Sequence, residues 1–464
     1  MKKIILRFCL LCILSFLFFV SCTNPSGKGK ITDVTPQPQE EPESEPESEP
    51  ESEPESEPQT EMAKLTLMVY MAADNDLESY ALSNLKDMEK AVYEKMNVLV
   101  LLDRAEGYDQ TDGDWTDTRL FEVRHDEGNG AALVSRRLDC APLGLTVNSA
   151  VELDMANPSV LKKFIEFSRE EYEAECYALV IWGHGTGWRY CAETLGQGSG
   201  GSAVRSGNRA VAIDDKTGTY MSVKELGRAV RNQDLSVIGF DTCFGGVIEN
   251  VYELRDCADY TVACPGVTPG GGWDYKAFLE TLSAGSISKL EAAKAMAQSA
   301  SVQTTVFRNE GIAALFTAFE GFCEELAAGI TDAQIRTSVF NALFASRSYS
   351  YTQYPCDMYL DIGAMADLYS GSGTPAALKT AALGVKSALN GAVAGSGGNT
   401  APKIGVHFIP LSASHTAAAS HSQDYIKDDA RTDQCAFIKQ SRWWCPSVNG
   451  NSGSLLDKLF YTVY

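Results

Sequence analysis

The sequences ALVIWGHGTGW (178–188) and VIGFDTCFGG (237–246) decide the fold of this chain. Each begins as a short apolar run, the kind that is buried on both faces of a parallel β-sheet. Three more runs have this character: LTLMVYM (65–71), NVLVLLD (97–103) and DYTVA (259–263). Five such strands predict a sheet whose strands are mostly parallel.

Helical patterns separate these runs. Residues 77–95 are amphipathic, and Asn157 followed by Pro158 is an N-cap with proline in the first helical position. Ser222 and Ser288 are each followed by glutamate three residues later, which is the spacing of a capping box. The strand–helix order predicts an α/β fold, an α/β/α sandwich around a mostly parallel central sheet.

The rest of the chain predicts three further segments. Residues 1–22 carry basic residues before a short apolar run, as in an export signal peptide. Residues 23–62 contain an acidic Glu-Pro-Glu-Ser tract, expected to be a disordered linker. The body is 63–464, with a core at about 63–283. Its C-terminal extension, about 284–464, contains helical segments and the run IGVHFIP, and is expected to extend the core or to form a smaller domain.

The end of the apolar run, Phe19-Val20-Ser21-Cys22, resembles the lipobox of bacterial lipoproteins. This predicts lipidation at Cys22 and a membrane-anchored protein of a bacterial cell envelope. Phe19 departs from the usual leucine. Simple secretion and an uncleaved anchor are the alternatives.

Charge and cysteine pattern exclude other classes. The chain has 464 residues and a net charge of −22, so no basic surface for nucleic acid is expected. The ten body cysteines contain no C-x-x-C pair, and the five histidines have no zinc spacing. No metal and no cofactor are predicted, and a calcium dependence is not readable from the sequence.

Two strand ends carry reactive residues. His184 follows the run at 178–182 within Gly-His-Gly, and Cys243 follows Asp241 within Asp-Thr-Cys. Chemistry in parallel sheets collects at the carboxyl ends of strands, so imidazole and thiol are expected at the same rim. This pair suits nucleophilic catalysis, with the amides of Gly185 and Cys243 donating to the oxyanion.

Four ordered motifs make a family recognisable: VYMAADNDLE (69–78), VIWGHGTGW (180–188), FDTCFGGVIE (240–249) and PGGGWDY (269–275). They resemble the clostripain family of cysteine peptidases, relatives of the caspases and gingipains. The resemblance implies a caspase-like fold, His184 as the general base and acid, and Cys243 as the nucleophile that forms a thioester. Protein or peptide substrates are implied as partners.

The resemblance also implies a substrate pocket. Asp241 lies where the family places an acid for a basic P1 side chain, and Trp273 is a candidate for lining that pocket. Gly271 stands where relatives strict for Arg or Lys can carry a second acid, which weakens strict Arg preference. Cys-Pro-Gly (264–266), which replaces the expected serine and acidic residues, is a second departure in the substrate-binding segment. The structural alternative for Asp241 is a carboxylate that caps a turn.

The glycine- and serine-rich stretch 190–210 is expected to be an exposed, mobile loop. Relatives are often cut between the His and Cys motifs, which makes Arg205 and Arg209 candidate self-cleavage sites; an uncut loop is the alternative. Two other functions stay open: a transpeptidase or amidase with the same dyad, and a catalytically silent surface-binding lipoprotein.

The remaining candidates are expected to be structural. Asp74 and Asn75 should hold a turn, Trp182 and Trp188 should pack at the rim, and four histidines should have no catalytic role: His125, His407, His415 and His421.

Overall fold

The computed structural model describes residues 62–128, 130, 132–188, 211–329, 347–350, 358–398, 401–408 and 435–443, with backbone only at 347–350, 358 and 408. The predicted signal peptide with Cys22, the acidic linker, and the loop with Arg205 and Arg209 lie outside the described residues, apart from Met62.

The strands are β1 (Ala63–Ala73), β2 (Met96–Arg104), β3 (Thr118–Glu122), β4 (Arg136–Leu138), β5 (Ala174–Trp182), β6 (Ala212–Asp214), β7 (Thr219–Met221), β8 (Leu235–Asp241), β9 (Ala258–Ala263), β10 (Thr304–Arg308), β11 (Arg347–Ser350), β12 (Met358–Asp361), β13 (Val393–Gly397) and β14 (Gly405–Phe408). The five strands predicted from apolar runs are β1, β2, β5, β8 and β9, and all five are confirmed.

The helices are α1 (Glu78–Glu89), α2 (Pro158–Glu171), α3 (Val223–Val230), α4 (Ile248–Leu254), α5 (Tyr275–Ala284), α6 (Lys289–Ser299), α7 (Asn309–Gly329), α8 (Ile362–Leu368), α9 (Ala376–Ala392) and α10 (Ala436–Gln440). The predicted N-caps are present: Asn157 accepts from the Ser159 amide, and Ser288 accepts from the Glu291 amide. Of the two predicted capping boxes, the complete one is that of Ser222 with Glu225.

Nine strands form the central sheet in the order β13-β10-β9-β8-β5-β1-β2-β3-β4. The five central strands, from β9 to β2, are parallel to one another, and the two strands at each edge are antiparallel to their neighbours. The prediction of a mostly parallel sheet is confirmed. The C-terminal extension contributes β10 and β13 to this sheet.

Helices cover both faces of the sheet. Along β1, Met68 and Tyr70 pack into one apolar core with α2, α3, α4 and α7, whereas Leu67 and Val69 pack into a second core with α1, α5 and α6. Successive side chains of a strand point to opposite faces, so a strand apolar at every position requires cover on both. This confirms the α/β/α sandwich.

Two small sheets complete the fold. β6 and β7 form a hairpin, and β11, β12 and β14 form a three-stranded sheet. Among the described residues, no helix is long and apolar enough to span a bilayer.

Candidate active site

The register between β5 and β8 places the two predicted catalytic residues at the same level, beyond the carboxyl ends of these two strands. The strands are parallel, and Trp182 pairs with Asp241 as the last residues of the two strands. His184 and Cys243 each lie two residues beyond this pair. The loop carrying His184 contacts the loop carrying Cys243, because the Gly183 amide donates to the Asp241 carbonyl at 3.4 Å.

Gly185 is the point of closest approach between these loops. A Cβ at Gly185 would lie 2.6 Å from the Thr242 hydroxyl oxygen and closer still to the Cys243 carbonyl oxygen. A side chain would therefore force the two loops apart. The glycine predicted to provide an oxyanion amide is thus in direct contact with the main chain of the nucleophile candidate.

The Cys243 thiol is half-buried, whereas the other six cysteines that the structure describes are buried; none of the seven forms a disulfide. Burial raises the pKa of the Cys243 thiol, and the Thr268 amide, which donates to the Sγ at 3.3 Å, opposes that rise. The Sγ in turn donates to the Thr268 carbonyl at 3.5 Å. Burial therefore favours the neutral thiol, and the segment that follows β9 holds its Sγ through the main chain of Thr268.

The chain turns sharply directly after Cys243. Phe244 has φ 55°, a left-handed conformation that is uncommon outside glycine. Its amide donates to the Gly266 carbonyl at 2.7 Å, and its ring is buried. Cys243 directly precedes this turn and is half-buried.

His184 is oriented by a residue that the motif analysis did not single out. Its Nε2 lies 2.6 Å from Oδ1 of Asp76, in the loop between β1 and α1. The hydrogen bond from His184 holds the pKa of Asp76 below its usual range. Asp76 lies within the motif VYMAADNDLE, directly after Asp74 and Asn75, so the sequence contained it without marking it as the histidine's partner.

Asp241 is buried beneath the rim. Its Oδ2 accepts hydrogen bonds from the Trp273 amide at 3.1 Å and from the Tyr275 hydroxyl at 3.0 Å. Oδ1 is also buried, and among the described residues it has no hydrogen-bond partner. Burial raises the pKa of Asp241 to about 7, although both donors oppose the rise.

The segment after β9 forms the wall around Asp241. Gly272 has φ +63°, and a Cβ there would lie within 2.9 Å of the Asp241 carboxyl carbon, so glycine leaves room for the carboxylate. The Trp273 ring is 2% exposed and lies against Gly239, where a Cβ would come within 2.7 Å of the ring. This ring lies in the core, and what Trp273 presents to Asp241 is its main-chain amide.

Tyr359, in β12 of the C-terminal extension, contacts both the loop that carries His184 and the loop that carries Cys243. Its hydroxyl donates to the Thr186 carbonyl at 3.0 Å, and its ring stacks on Phe244 with centroids 5.0 Å apart. Gly187, with φ +80°, makes room for the hydroxyl. One side chain thus contacts the loop after β5 and the turn after Cys243.

The residues expected to be structural are placed as follows. Asn75 holds the predicted turn, because its side-chain nitrogen donates to Ala72 and its Oδ1 accepts from the Leu77 amide. Trp182 is 2% exposed, so it packs in the core and not at the rim. Its indole nitrogen needs an acceptor there and donates to Asn84 at 2.8 Å.

The described histidines outside the site pack as parts of the fold. His125 contacts the Glu89 carbonyl through Nδ1 at 3.1 Å. His407 is fully buried, with the Trp188 ring 5.9 Å away. Cys264, in the Cys-Pro-Gly segment that differs from the pattern of relatives, is also buried, and burial raises the pKa of its thiol to about 11. His415 and His421 lie outside the described residues.

Comparison with known proteins places these features in a family. The profile of the clostripain family, peptidase family C11, matches residues 69–429. Clostripain of Hathewaya histolytica is 30% identical over 246 residues, which are 48% of this chain and 43% of that protein. The match thus spans less than half the length of that relative.

Solved structures share the fold. An inactive zymogen of a C11 protease from Parabacteroides distasonis is 17% identical with a TM-score of 0.53, over 82% of this chain and 98% of that one. A secreted C11 cysteine protease from Bacteroides thetaiotaomicron, in complex with an irreversible peptide inhibitor, is 18% identical with a TM-score of 0.50, over 79% and 97%. Since the family profile covers most of the chain, including both catalytic motifs, this protein belongs to the clostripain family of cysteine peptidases.

Proposed function

We propose that this protein is an endopeptidase that cleaves peptide bonds with Cys243 as nucleophile and His184 as general base and acid. The observation that carries the proposal is the shared register of β5 and β8, with both residues two positions beyond a paired strand end. Asp76 binds Nε2 of His184. The opposite ring nitrogen, Nδ1, then serves the thiol.

The reaction follows from these positions. His184 takes the thiol proton, and the thiolate sulfur bonds to the scissile carbonyl carbon. The amides of Gly185 and Cys243 donate to the resulting oxyanion. His184 gives its proton to the departing amine, and water then attacks the thioester, releases the acid and restores the thiol.

The thiol must leave its resting partners for this to happen. In the described conformation Sγ bonds with the main chain of Thr268, and burial favours the neutral thiol. Substrate binding along the segment after β9 would displace that contact and free Sγ for His184. Apo enzymes often have loose catalytic geometry that tightens in the complex.

We propose that Asp241 selects Arg or Lys at P1. Its buried Oδ1 accepts no hydrogen bond from the described residues. The guanidinium of a P1 arginine carries charged N–H groups that could donate to this oxygen. The Trp273 amide and the Tyr275 hydroxyl hold the other oxygen, so the carboxylate is oriented before substrate arrives.

The dyad is tested by three variants assayed on a fluorogenic peptide with arginine at P1. Cys243→Ala and His184→Ala should each abolish hydrolysis while keeping the circular-dichroism spectrum and melting temperature of the wild type. Cys257→Ala is the matched control, because Cys257 is a buried thiol just before β9, at the amino ends of the parallel strands and so at the end of the sheet opposite Cys243. Activity retained in Cys243→Ala would refute the proposal.

Alkylation gives an independent readout of the same site. Iodoacetamide should modify Cys243 faster than the buried thiols and inactivate the enzyme in step with that modification. Mass spectrometry of the products separates hydrolysis from transfer to an added amine, which distinguishes a peptidase from a transpeptidase.

We further propose self-cleavage after Arg205 or Arg209. Both arginines fall between β5 and β6, and they suit a pocket with an acid at its base. The two fragments would stay associated, since β5 and β8 pair across the cut. Wild type and Cys243→Ala expressed side by side should yield two fragments and one intact chain; an intact, fully active wild type would contradict this.

We also propose that the chain is exported and anchored through a lipid on Cys22, with residues 23–62 as the spacer that carries the peptidase away from the membrane. Wild type should partition into the detergent phase of a Triton X-114 extract, and Cys22→Ser should move to the aqueous phase. Equal partition of both would refute lipidation.

A further inference from the structure

The wall around Asp241 contains three consecutive glycines (270–272), which directly follow Pro269. Glycine loses more backbone freedom on folding than any other residue, so such a run is loose unless another part of the protein holds it. The next residue nevertheless has a defined contact, because the Trp273 amide donates to Oδ2 of Asp241 at 3.1 Å. A feature outside this segment is therefore expected to fix it.

Helix α1 lies against this run of glycines. The Tyr80 ring packs on Gly270, since a Cβ at Gly270 would lie 2.8 Å from Cε2 of that ring. One turn further along α1, Nδ2 of Asn84 donates to the Gly271 carbonyl at 2.9 Å. Residues four apart lie on the same face of a helix. One face of α1 thus contacts two successive glycines of the wall.

Asn84 holds the peptide group between Gly271 and Gly272. The carbonyl of this peptide accepts from Asn84, and its N–H donates to the Pro269 carbonyl at 2.8 Å. A peptide flanked by glycines otherwise rotates readily, because neither side carries a Cβ. Gly272 has φ +63° and leaves room for the Asp241 carboxylate. The orientation of this peptide therefore determines how the wall meets Asp241.

The other end of the Asn84 side chain is anchored in the central sheet. Its Oδ1 accepts from Nε1 of Trp182, the last residue of β5, at 2.8 Å. Trp182 is 2% exposed and Asn84 is 3% exposed, so this bond is shielded from water. Trp182 also pairs with Asp241 in the neighbouring strand β8. Asn84 thus joins the strand that leads to His184 to the wall around Asp241.

The packing of α1 does not by itself require asparagine at position 84. Asparagine is less favourable than alanine inside a helix, and burying its amide costs free energy unless the hydrogen bonds are made. Four other buried residues of α1 are apolar and pack in the second core: Ala81, Leu82, Leu85 and Met88. An apolar residue would also fill position 84, so what asparagine adds is its two hydrogen bonds.

We propose that Asn84 is a positioning residue for recognition of the P1 side chain. It holds the Gly271–Gly272 peptide, and this peptide in turn keeps the Asp241 carboxylate oriented for arginine. Asn84 acts through the turn and not by contact with the substrate. The inference rests on the proposed role of Asp241 in selecting Arg or Lys.

The first test is Asn84→Leu, because leucine has a similar size and no hydrogen-bonding group. The variant is assayed on two peptides that differ only at P1, one with arginine and one with its neutral isostere citrulline. At pH 8 the arginine-to-citrulline ratio of kcat/KM should fall about fivefold, which corresponds to one net hydrogen bond of about 1 kcal/mol. A merely structural role would lower both kcat/KM values and leave the ratio unchanged, which would overturn the inference.

A double-mutant cycle separates this inference from the function on which it rests. If Asn84 acts through Asp241, Asn84→Leu should change the ratio by less than about twofold in an Asp241→Asn background. A fall as large as in the wild type would overturn the inference. An unchanged ratio in Asp241→Asn alone would instead refute the proposed role of Asp241, and with it any role of Asn84 at P1.

Hydrogen–deuterium exchange of the full chain tests the turn without an activity readout. In a Cys243→Ala background, Asn84→Leu should speed exchange in peptides that cover residues 266–273 by about fivefold, because the Gly271–Gly272 peptide is released. Unchanged exchange there would overturn the inference. Asn84→Ser gives the same comparisons if the leucine variant fails to fold, since its shorter side chain loses the reach to Gly271.

Asn97→Leu is the matched control. Asn97 is half-buried and donates through Nδ2 to the Thr66 hydroxyl at 3.0 Å, at the amino ends of β1 and β2 and so at the end of the sheet opposite the catalytic loops. This variant should keep the wild-type ratio and the wild-type exchange of residues 266–273. An equal loss of arginine preference in Asn97→Leu would mean that general destabilisation explains the effect, and would overturn the inference.

Discussion

The ionisation of Asp241 should make the preference for arginine at P1 depend on pH. Burial raises the pKa of this carboxyl to about 7, far above the ordinary value of an aspartate. Below pH 7 the free enzyme therefore presents a neutral carboxyl to the substrate, and above pH 7 it presents a carboxylate. A guanidinium stays charged throughout this range, so only the pocket changes.

The size of the effect follows from the titration curve. With a pKa near 7, about 9% of Asp241 is ionised at pH 6 and about 91% at pH 8. If only the carboxylate recognises arginine, kcat/KM should rise about tenfold over these two pH units. At pH 8, Asp241→Asn should lose about 1.5–3 kcal/mol of a charge-assisted hydrogen bond, which is roughly 10- to 150-fold in kcat/KM.

The assay compares two peptides that differ only at P1, one with arginine and one with its neutral isostere citrulline. Taking the ratio of their kcat/KM values cancels the ionisation of Cys243 and His184, which both substrates share. In the wild type the ratio should rise through pH 7, and in Asp241→Asn it should stay flat. A flat ratio in the wild type between pH 5.5 and 8.5, or an unchanged slope in the variant, would refute the assignment of Asp241 to P1.

Three further substitutions test the surroundings of the dyad. Asp76→Ala should lower kcat about 10²-fold with KM nearly unchanged, because it frees the imidazole of His184 to rotate; a KM effect alone would contradict a positioning role. Tyr359→Phe should lower the free energy of unfolding by about 1 kcal/mol in chemical denaturation and reduce kcat, because the Thr186 carbonyl loses its donor; wild-type values for both would refute the link between the loops. Gly271→Asp should raise the arginine-to-citrulline ratio about 3- to 5-fold, since no described atom lies within 4 Å of a Cβ there; a ratio that does not rise would mean that residue 271 points away from P1.

The central sheet could be predicted from the sequence because its five parallel strands are buried on both faces and so read as uninterrupted apolar runs. β1 and β8 illustrate this, since each is apolar along nearly its whole length. The edge strands could not be found this way. β3 and β4 are short strands at one side of the sheet. They carry charged residues such as Arg119 and Arg136, and their sequences show no regular alternation of apolar and polar residues.

The same contrast holds at the site. The placement of His184 and Cys243 at the same end of the sheet could be predicted, because it follows from local rules: a buried strand, a glycine turn and a reactive side chain. Asp76 and Tyr359 could not be assigned, because their roles depend on contacts across 108 and 173 positions of the chain.

The proposed catalytic pair and the proposed P1 acid depend on different parts of the fold. The positions of His184 and Cys243 depend on the pairing of β5 with β8, and a slip of one residue in that register would turn every side chain of a strand to the opposite face of the sheet. Such a slip would misfit the packing against both apolar cores, so the relative positions of His184 and Cys243 are maintained by the packing of the whole sheet. The proposed P1 pocket is different. Asp241 belongs to β8, but its carboxylate is held by the segment that follows β9, where a Cβ at Gly271 would meet no described atom within 4 Å. Preference at P1 should therefore be easier to change by mutation than the cleavage chemistry itself.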